Sequence, residues 1–333
     1  MRNLKRALSL ALASVMLLGM MVVGSSAKGI DDFTDKAEIV NQDAVAVTSA
    51  IGLFDGYEDG SFGPENVVTR AEMAVIICTM LYGAGVNVNQ FAETNVFTDV
   101  PAWAQGYVNL CSSLGIVAGV GDGKFDPNAT VTTAQAVLML CRALGYFQSA
   151  ADFGDNWMLA ATAKGTALGL YGDLKLTANE GLTRDNVAEL VFNALTKAVT
   201  VEYNDTFNIY FNTGSTWANG VKFDYKQTLG YKNFDLVYMN DEDDFGRPST
   251  VWGTGSLANV SLDDEGNIPD SYKGIADDDI IISMADTATH TYTAKVSSKT
   301  LYNDVGRTAA QDYDWTVYTN GEANEYSFDG NDL

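Results

Sequence analysis

The chain is poor in histidine, cysteine and positive charge. Its 333 residues include one histidine, three cysteines and 20 lysines and arginines, set against 43 acidic side chains. One histidine argues against a histidine-rich metal site, and against any Ser-His-Asp enzyme not built around His290. Three cysteines, none in a Cys-x-x-Cys pair, exclude a disulfide-dense scaffold and a zinc ribbon. A net charge of -23 argues against a duplex nucleic-acid binder, which needs a basic face to displace counterions. What remains is apolar enough to fold, at 47% hydrophobic residues, so wholesale disorder is excluded.

Residues 1–27 read as an export signal. Arg2, Lys5 and Arg6 form a positive start, Ala7 to Val23 an apolar run, and Ser25-Ser26-Ala27 a small-residue cleavage site before Lys28. The alternative is an uncleaved anchor, but the run falls short of the roughly 20 residues that span a bilayer comfortably. No cysteine follows the run, which argues against a lipid anchor, and no later segment is apolar enough to cross a membrane. The expectation is an exported chain with no membrane segment after cleavage, held at the surface only by what it binds.

The first half repeats itself. Gly52–Glu72 aligns with Gly115–Gln135 at a constant offset, with identities that include Gly56/Gly119, Asp59/Asp122, Gly60/Gly123, Phe62/Phe125, Pro64/Pro127 and Thr69/Thr132. Upstream, Phe33-Thr34-Asp35 matches Phe97-Thr98-Asp99. A weaker third copy, from Asp152 to Lys197, keeps Trp157 (like Trp103), Gly169-Leu170 and Leu182-Thr183-Arg184, and has lost the Gly-x-x-Asp-Gly-x-Phe loop. Each copy reads as helix, loop, helix. The second helix carries apolar residues at i, i+3, i+4, i+7 and i+8: Met73, Ile76, Ile77, Met80 and Leu81 in copy one, with matching stripes from Ala136 and Val187. One helix pair cannot bury such a face alone, so the copies are expected to pack about a common axis as one domain. Cys78, Cys111 and Cys141 read as small buried apolar residues. The minority reading is a disulfide between the equivalent positions 78 and 141.

The start of each long helix separates folding from function. Thr69-Arg70-Ala71-Glu72 is a capping box, kept as Thr132 with Gln135 in copy two and as Thr183 alone in copy three. These five residues are explained by folding. Arg70 and Arg184 are not: a cation at the first helical position opposes the helix dipole by about 0.3–1 kcal/mol. An arginine beside free helix-terminal amides suits a bound carboxylate or phosphate. The competing reading is an ion pair with a neighbouring acid. Trp103 and Trp157 are either core or an apolar platform for a sugar ring, with Asp99 accepting from hydroxyls. Asp55–Gly60 lacks the acids of a calcium loop and reads as a glycine-rich turn.

Phe97-Thr98-Asp99-Val100 with Trp103-Ala104, Asp122-Gly123-x-Phe125-x-Pro127 and Thr69-Arg70-Ala71-Glu72 together resemble S-layer homology (SLH) modules, three in tandem over residues 30–199. The resemblance implies a three-pronged helical pseudo-trimer that binds a secondary cell-wall polysaccharide. In many members the recognised sugar is a pyruvylated N-acetylmannosamine, whose ketal carboxylate would be the anion. It also implies ligand grooves between prongs, lined by Arg70, Arg184, Asp99 and Trp103, with Asp35 a weaker candidate. Thr133 stands in the arginine position of copy two, copy one has no Trp after Asp35, and copy three lacks its loop. One good groove is expected, two at most.

From Val201 the period changes to two. Strands are expected around Ile209, over Val221–Tyr225, Leu236–Met239, Ile280–Ser283 and Tyr292–Val296, with a hairpin at Trp315–Thr319, Asn320-Gly321 and Tyr326–Phe328. His290 is placed on a strand as a structural residue. The acidic clusters Asp241–Asp244, Asp263–Glu265 and Asp277–Asp279 read as solvated loops, with calcium sites as the alternative. No other cofactor is implied, and no catalytic constellation stands out. The ending at Asp329–Leu333, just after a strand candidate, suggests a short form or a truncation of a longer surface protein.

The expected architecture is therefore α plus β: signal 1–27, repeats 28–90, 91–148 and 149–199, then an acidic β-rich region 200–333. The expected function is non-enzymatic, non-covalent anchoring at the extracellular face of the cell wall, as an S-layer subunit whose outer region faces outward or associates laterally. The runners-up are an anchored polysaccharide-degrading enzyme and an adhesin.

Overall fold

A computed structural model describes residues 28–328, except 94–95, 243–247, 259, 270–271, 273, 286–289, 295, 305, 307–312 and 320–321. The signal segment, Asp243-Asp244, the hairpin turn Asn320-Gly321 and the final Asp329–Leu333 lie outside the described residues. Copy one supplies helices α1 (Gln42–Ala50) and α2 (Arg70–Tyr82). After a short α3 (Asn89–Ala92), copy two supplies α4 (Ala102–Ser113) and α5 (Thr133–Ala143). Copy three supplies α6 (Trp157–Ala167) and α7 (Arg184–Thr196).

The copies interlock rather than stack. The long helix of each packs on the first helix of the next: α2 on α4, α5 on α6, and α7 back on α1. The apolar stripes explain this, since Met73, Ile77, Met80, Leu140, Val187, Leu190 and Leu195 are all fully buried in one continuous core. At the centre, the residue two before each helix closes a cycle of backbone hydrogen bonds. Val68 N donates to Leu182 O (3.0 Å), Leu182 N to Val131 O (3.1 Å) and Val131 N to Val68 O (2.9 Å). All three residues are buried, so these amides have no water to turn to and the cycle fixes the register of the copies.

Beyond Val199 the chain turns to strands without leaving the core. A hairpin of β1 (Val201–Asn204) and β2 (Ile209–Asn212) is followed by α8 (Leu229–Phe234) and an antiparallel sheet of β3 (Leu236–Glu242), β4 (Pro248–Gly255) and β5 (Ile275–Ala285). A last helix α9 (Ser298–Asp304) precedes the hairpin of β6 (Tyr313–Thr319) and β7 (Glu322–Phe328). Val199, Val201 and Leu229 belong to the helical core. Leu236 and Trp252 bury themselves on Ala44 and Val47 of α1 and Phe192 of α7, with the Phe192 and Trp252 rings edge-to-face at 4.9 Å.

Two strand expectations are corrected. Val221–Asp224 has no strand hydrogen bonding and leads into a 3-10 turn at Tyr225–Gln227, whose ring is buried in a separate cluster. The described part of Tyr292–Val296 is bend and coil, and His290 lies in irregular chain near Tyr292. In both places alternation of side chains came without a partner strand, and pairing is what makes a strand.

Candidate functional site

The ends of the long helices meet the loops of the neighbouring copy. Arg70, at the first position of α2, reaches into the loop of copy two. Its Nε donates to Phe125 O (3.0 Å) and its Nη2 to Ala118 O (3.1 Å), while the guanidinium lies 4.5 Å from the Phe125 ring centre. Arg184 repeats this arrangement in the loop of copy one, with Nε to Phe62 O (2.9 Å), Nη2 to Asp55 O (2.7 Å) and the ring of Phe62 at 4.8 Å. Neither forms an ion pair among the described residues. Burial draws both guanidinium pKa values down and nearby acids push them back, Asp126 and Asp99 for Arg70. Arginine keeps its charge throughout.

The acid pairing, and the free amides expected beside a bound anion, are therefore corrected. They are not paired with acids, and the amides beside them are not free. Arg70 N donates to Ala129 O (2.9 Å), Ala71 N to Pro127 O (3.1 Å) and Glu72 N to Thr69 Oγ1 (3.3 Å). In α7, Arg184 N donates to Asn66 O (2.8 Å), Asp185 N to Pro64 O (3.1 Å) and Asn186 N to Thr183 Oγ1 (3.3 Å). A bound anion has no helix amide left to accept from. What each arginine still offers is Nη1, which makes no protein hydrogen bond among the described residues; Arg70 as a whole is buried and Arg184 half-buried.

The remaining caps hold the helix starts. Glu72 Oε2 accepts from Thr69 N (2.8 Å), and Gln135 Oε1 from Thr132 N (3.2 Å). Asp99 and Asp35 hold the loops that the arginines enter. Asp99 accepts from Phe125 N (2.8 Å) and Asp126 N (2.9 Å), and Asp35 from Phe62 N (2.7 Å) and Gly63 N (2.8 Å). Burial works to raise the Asp99 pKa, but these amide donors outweigh it and the group sits below the usual carboxylate range. The sign follows directly: a depressed folded pKa supplies stability above about pH 4 that is lost as the pH falls through the folded value. Asp99→Asn is therefore expected to flatten the acid limb of a pH titration of stability, followed by circular dichroism.

Trp103 and Trp157 are not core, being 57% and 38% exposed. Trp103 stands on the rim of an open groove of about 530 Å³ between α4 and the segment 85–92, with Asn87, Asn89, Gly106 and Tyr107 also in its wall. Gly106 lets that segment approach the helix, because a Cβ there would lie 2.7 Å from both the carbonyl oxygen and a methyl of Val88. Gly106→Ala is expected to push residues 85–89 off α4 and to lower the urea midpoint by the equivalent of about 1–3 kcal/mol. Arg70 does not line this groove. Segment 85–92 escaped sequence reading because it straddles the boundary of copies one and two, outside the stretches that align between them.

The three junctions are not equal. Junction one–two has Arg70, a complete loop held by Asp99, and Trp103. Junction three–one has Arg184 and a complete loop held by Asp35, but no tryptophan. Junction two–three has Trp157, but Thr133 replaces arginine and the loop is missing. Thr133 is fully buried, its Oγ1 donating to Glu180 O (3.2 Å). Since each arginine serves the next copy's loop, Thr133 in copy two and the missing loop of copy three fall at the same junction.

The S-layer homology domain family matches residues 32–74 and 96–137, which are copies one and two. The chain is 34% identical over 198 residues to a protein named "Cell surface protein" from Thermoanaerobacter kivui, covering 59% of this chain and 25% of that one. It is 32% identical over 196 residues to the "Middle cell wall protein" of Brevibacillus brevis, covering 58% and 18%. A "Cellulosome-anchoring protein" of Acetivibrio thermocellus is 30% identical over 102 residues, covering 30% and 23%. The chain thus spans a quarter or less of the length of these relatives. Two SLH modules and relatives of this kind indicate an extracellular, cell-wall location. Among the described residues, no helix is long and apolar enough to cross a membrane.

Proposed function

We propose that the chain anchors itself non-covalently to the bacterial cell wall, through three SLH modules arranged as a three-pronged pseudo-trimer, by binding a pyruvylated secondary wall polysaccharide. The closed cycle through Val68, Leu182 and Val131 supports a third module at 149–199, which the family match does not reach. The observation that carries the binding reading is the exposed Trp103 beside a groove at junction one–two, the one tryptophan-bearing junction that also has both an arginine and a complete loop. In this reading Trp103 stacks on a pyranose ring. Nη1 of Arg70 donates to the polymer's carboxylate through a charge-assisted bond worth about 1.5–3 kcal/mol. Asp99 positions the loop; at junction three–one Arg184 and Asp35 hold the loop of copy one, where no tryptophan completes a site. The surface is acidic and long-range attraction to an anionic polymer is absent, but fields are screened beyond about 8 Å at physiological salt, so contact chemistry decides.

The test is retention of residues 28–333 on cell-wall sacculi before and after removal of the secondary polymer. Retention is expected on intact sacculi and lost on stripped ones. Equal retention on stripped peptidoglycan contradicts the ligand class. Among the described residues no three metal-ligating side chains are gathered, and Asp263 accepts from the backbone of Glu265 and Asn267 within its own turn. Calcium binding and lateral association by the β-rich region are proposals that a calcium-dependent assembly assay addresses.

A further inference from the structure

Two of the three cysteines meet across junction one–two. Cys78 lies on α2 of copy one and Cys111 on α4 of copy two, both fully buried, with their sulfurs 3.4 Å apart. Each thiol is also within reach of a carbonyl of the partner helix, Cys78 of Tyr107 O (3.5 Å) and Cys111 of Ala74 O (3.6 Å), so the side chains point at each other's helix. Cys141, the position equivalent to Cys78, is buried on α5 and has neither sulfur as a neighbour. The pairing that the repeat symmetry suggested, 78 with 141, is thus not the one the packing offers.

We propose that Cys78 and Cys111 form an intramolecular disulfide in the exported protein, a covalent tie between copies one and two beside the proposed glycan site. Closing 3.4 Å to the roughly 2.05 Å of a disulfide needs less than 1 Å from each sulfur, within the range of small side-chain rotations. Extracellular proteins meet an oxidising environment in which such bonds form and persist. The step balances as an exchange. One cysteine thiolate attacks a low-molecular-weight disulfide and releases one small thiol; the second attacks the mixed disulfide and releases the other. Two protons leave the cysteines, the new S–S bond joins positions 78 and 111, and the small disulfide is reduced to two thiols. The hydrogen bond with Cys78 and burial both hold the Cys111 thiol protonated in the packed protein, so the exchange belongs to folding, before α2 and α4 close on each other.

The test is a thiol count on the mature chain refolded in glutathione disulfide, quenched in acid, denatured and alkylated. Trypsin leaves Cys78 and Cys111 together on peptide 71–124, which contains no internal Lys or Arg, and Cys141 on 125–142. The expected result is one alkylated thiol, on 125–142, with 71–124 about 2 mass units lighter until it is reduced. Adding reductant is expected to lower the thermal midpoint by roughly 5–10 °C in the natural sequence and to leave the Cys78→Ser/Cys111→Ser double variant unmoved. Three alkylated thiols after refolding, or a cross-link that includes 125–142, overturns the proposal. The result is independent of glycan retention, so either reading can fail alone.

Discussion

Arg70→Ala is expected to lose about 2–4 kcal/mol of stability together with retention on the wall polymer. The substitution removes the donors of Phe125 O and Ala118 O, and Phe125 is fully buried, so at least one carbonyl is left without water. An orphaned buried acceptor costs about 1–3 kcal/mol, and the cation over the Phe125 ring adds about 0.5–2 kcal/mol. Arg184→Ala removes the same two bonds at junction three–one and is expected to cost a similar amount of stability. The two variants are predicted to part in binding. At a temperature where both remain folded, Arg184→Ala keeps its retention on sacculi, because no tryptophan stands at that junction, and Arg70→Ala does not. Arg70→Lys keeps the charge but cannot fork to two carbonyls, so it recovers only part of the stability. Urea midpoints and sacculus pull-downs on the same preparations separate the two effects. Equal loss of retention in both alanine variants would show that the arginines act only through folding or that both junctions bind.

Ending the chain at residue 199 is expected to destabilise the helical half by roughly 3–6 kcal/mol relative to a chain ending at 285. The cut uncovers Phe192, Ala44 and Val47, which Trp252 and Leu236 bury. It also removes the bond from Val201 N to Leu144 O (2.8 Å) and the two from Asn233 Nδ2 to the carbonyls of Met80 and Leu81 (3.0 and 3.1 Å) at the end of α2. Uncovering even two or three large apolar groups costs about 1.5–3 kcal/mol each when complete, and the burial here is shared across the cut. Comparing urea midpoints of 28–199 and 28–285 checks this. Equal midpoints would mean that the strands are tethered to the helices rather than part of their core.

The helices were legible because their physics is local. A period near 3.6 placed Met73 and Ile77 on a buried stripe, and Thr69 with Glu72 marked where α2 begins. The identities between copies pointed to helix-loop-helix units. What no single copy could reveal is that the units trade partners, so that Arg70 belongs to the loop of copy two and Arg184 to that of copy one. Judged copy by copy, Thr133 and the missing loop looked like two separate defects, and the structure joins them at one junction. The arginine chemistry was misjudged for a related reason. The helix-terminal amides of α2 seemed free because their acceptors, Pro127 and Ala129, come from another repeat. In the second half, alternation located β3 and β5, which have partner strands, and failed at Val221–Asp224, which has none. The packing of Trp252 on Phe192 joins residues too far apart in sequence for any local pattern to signal.

Titration calorimetry of purified wall polymer against the natural chain, Trp103→Ala and Trp157→Ala addresses the unequal junctions most directly. Both tryptophans are substantially exposed, so neither change is expected to alter the fold. The account predicts one site per chain, unchanged by Trp157→Ala and weakened tenfold or more by Trp103→Ala, the equivalent of about 1.4 kcal/mol. Undiminished binding by a folded Trp103→Ala chain, or equal losses in the two variants, would contradict it.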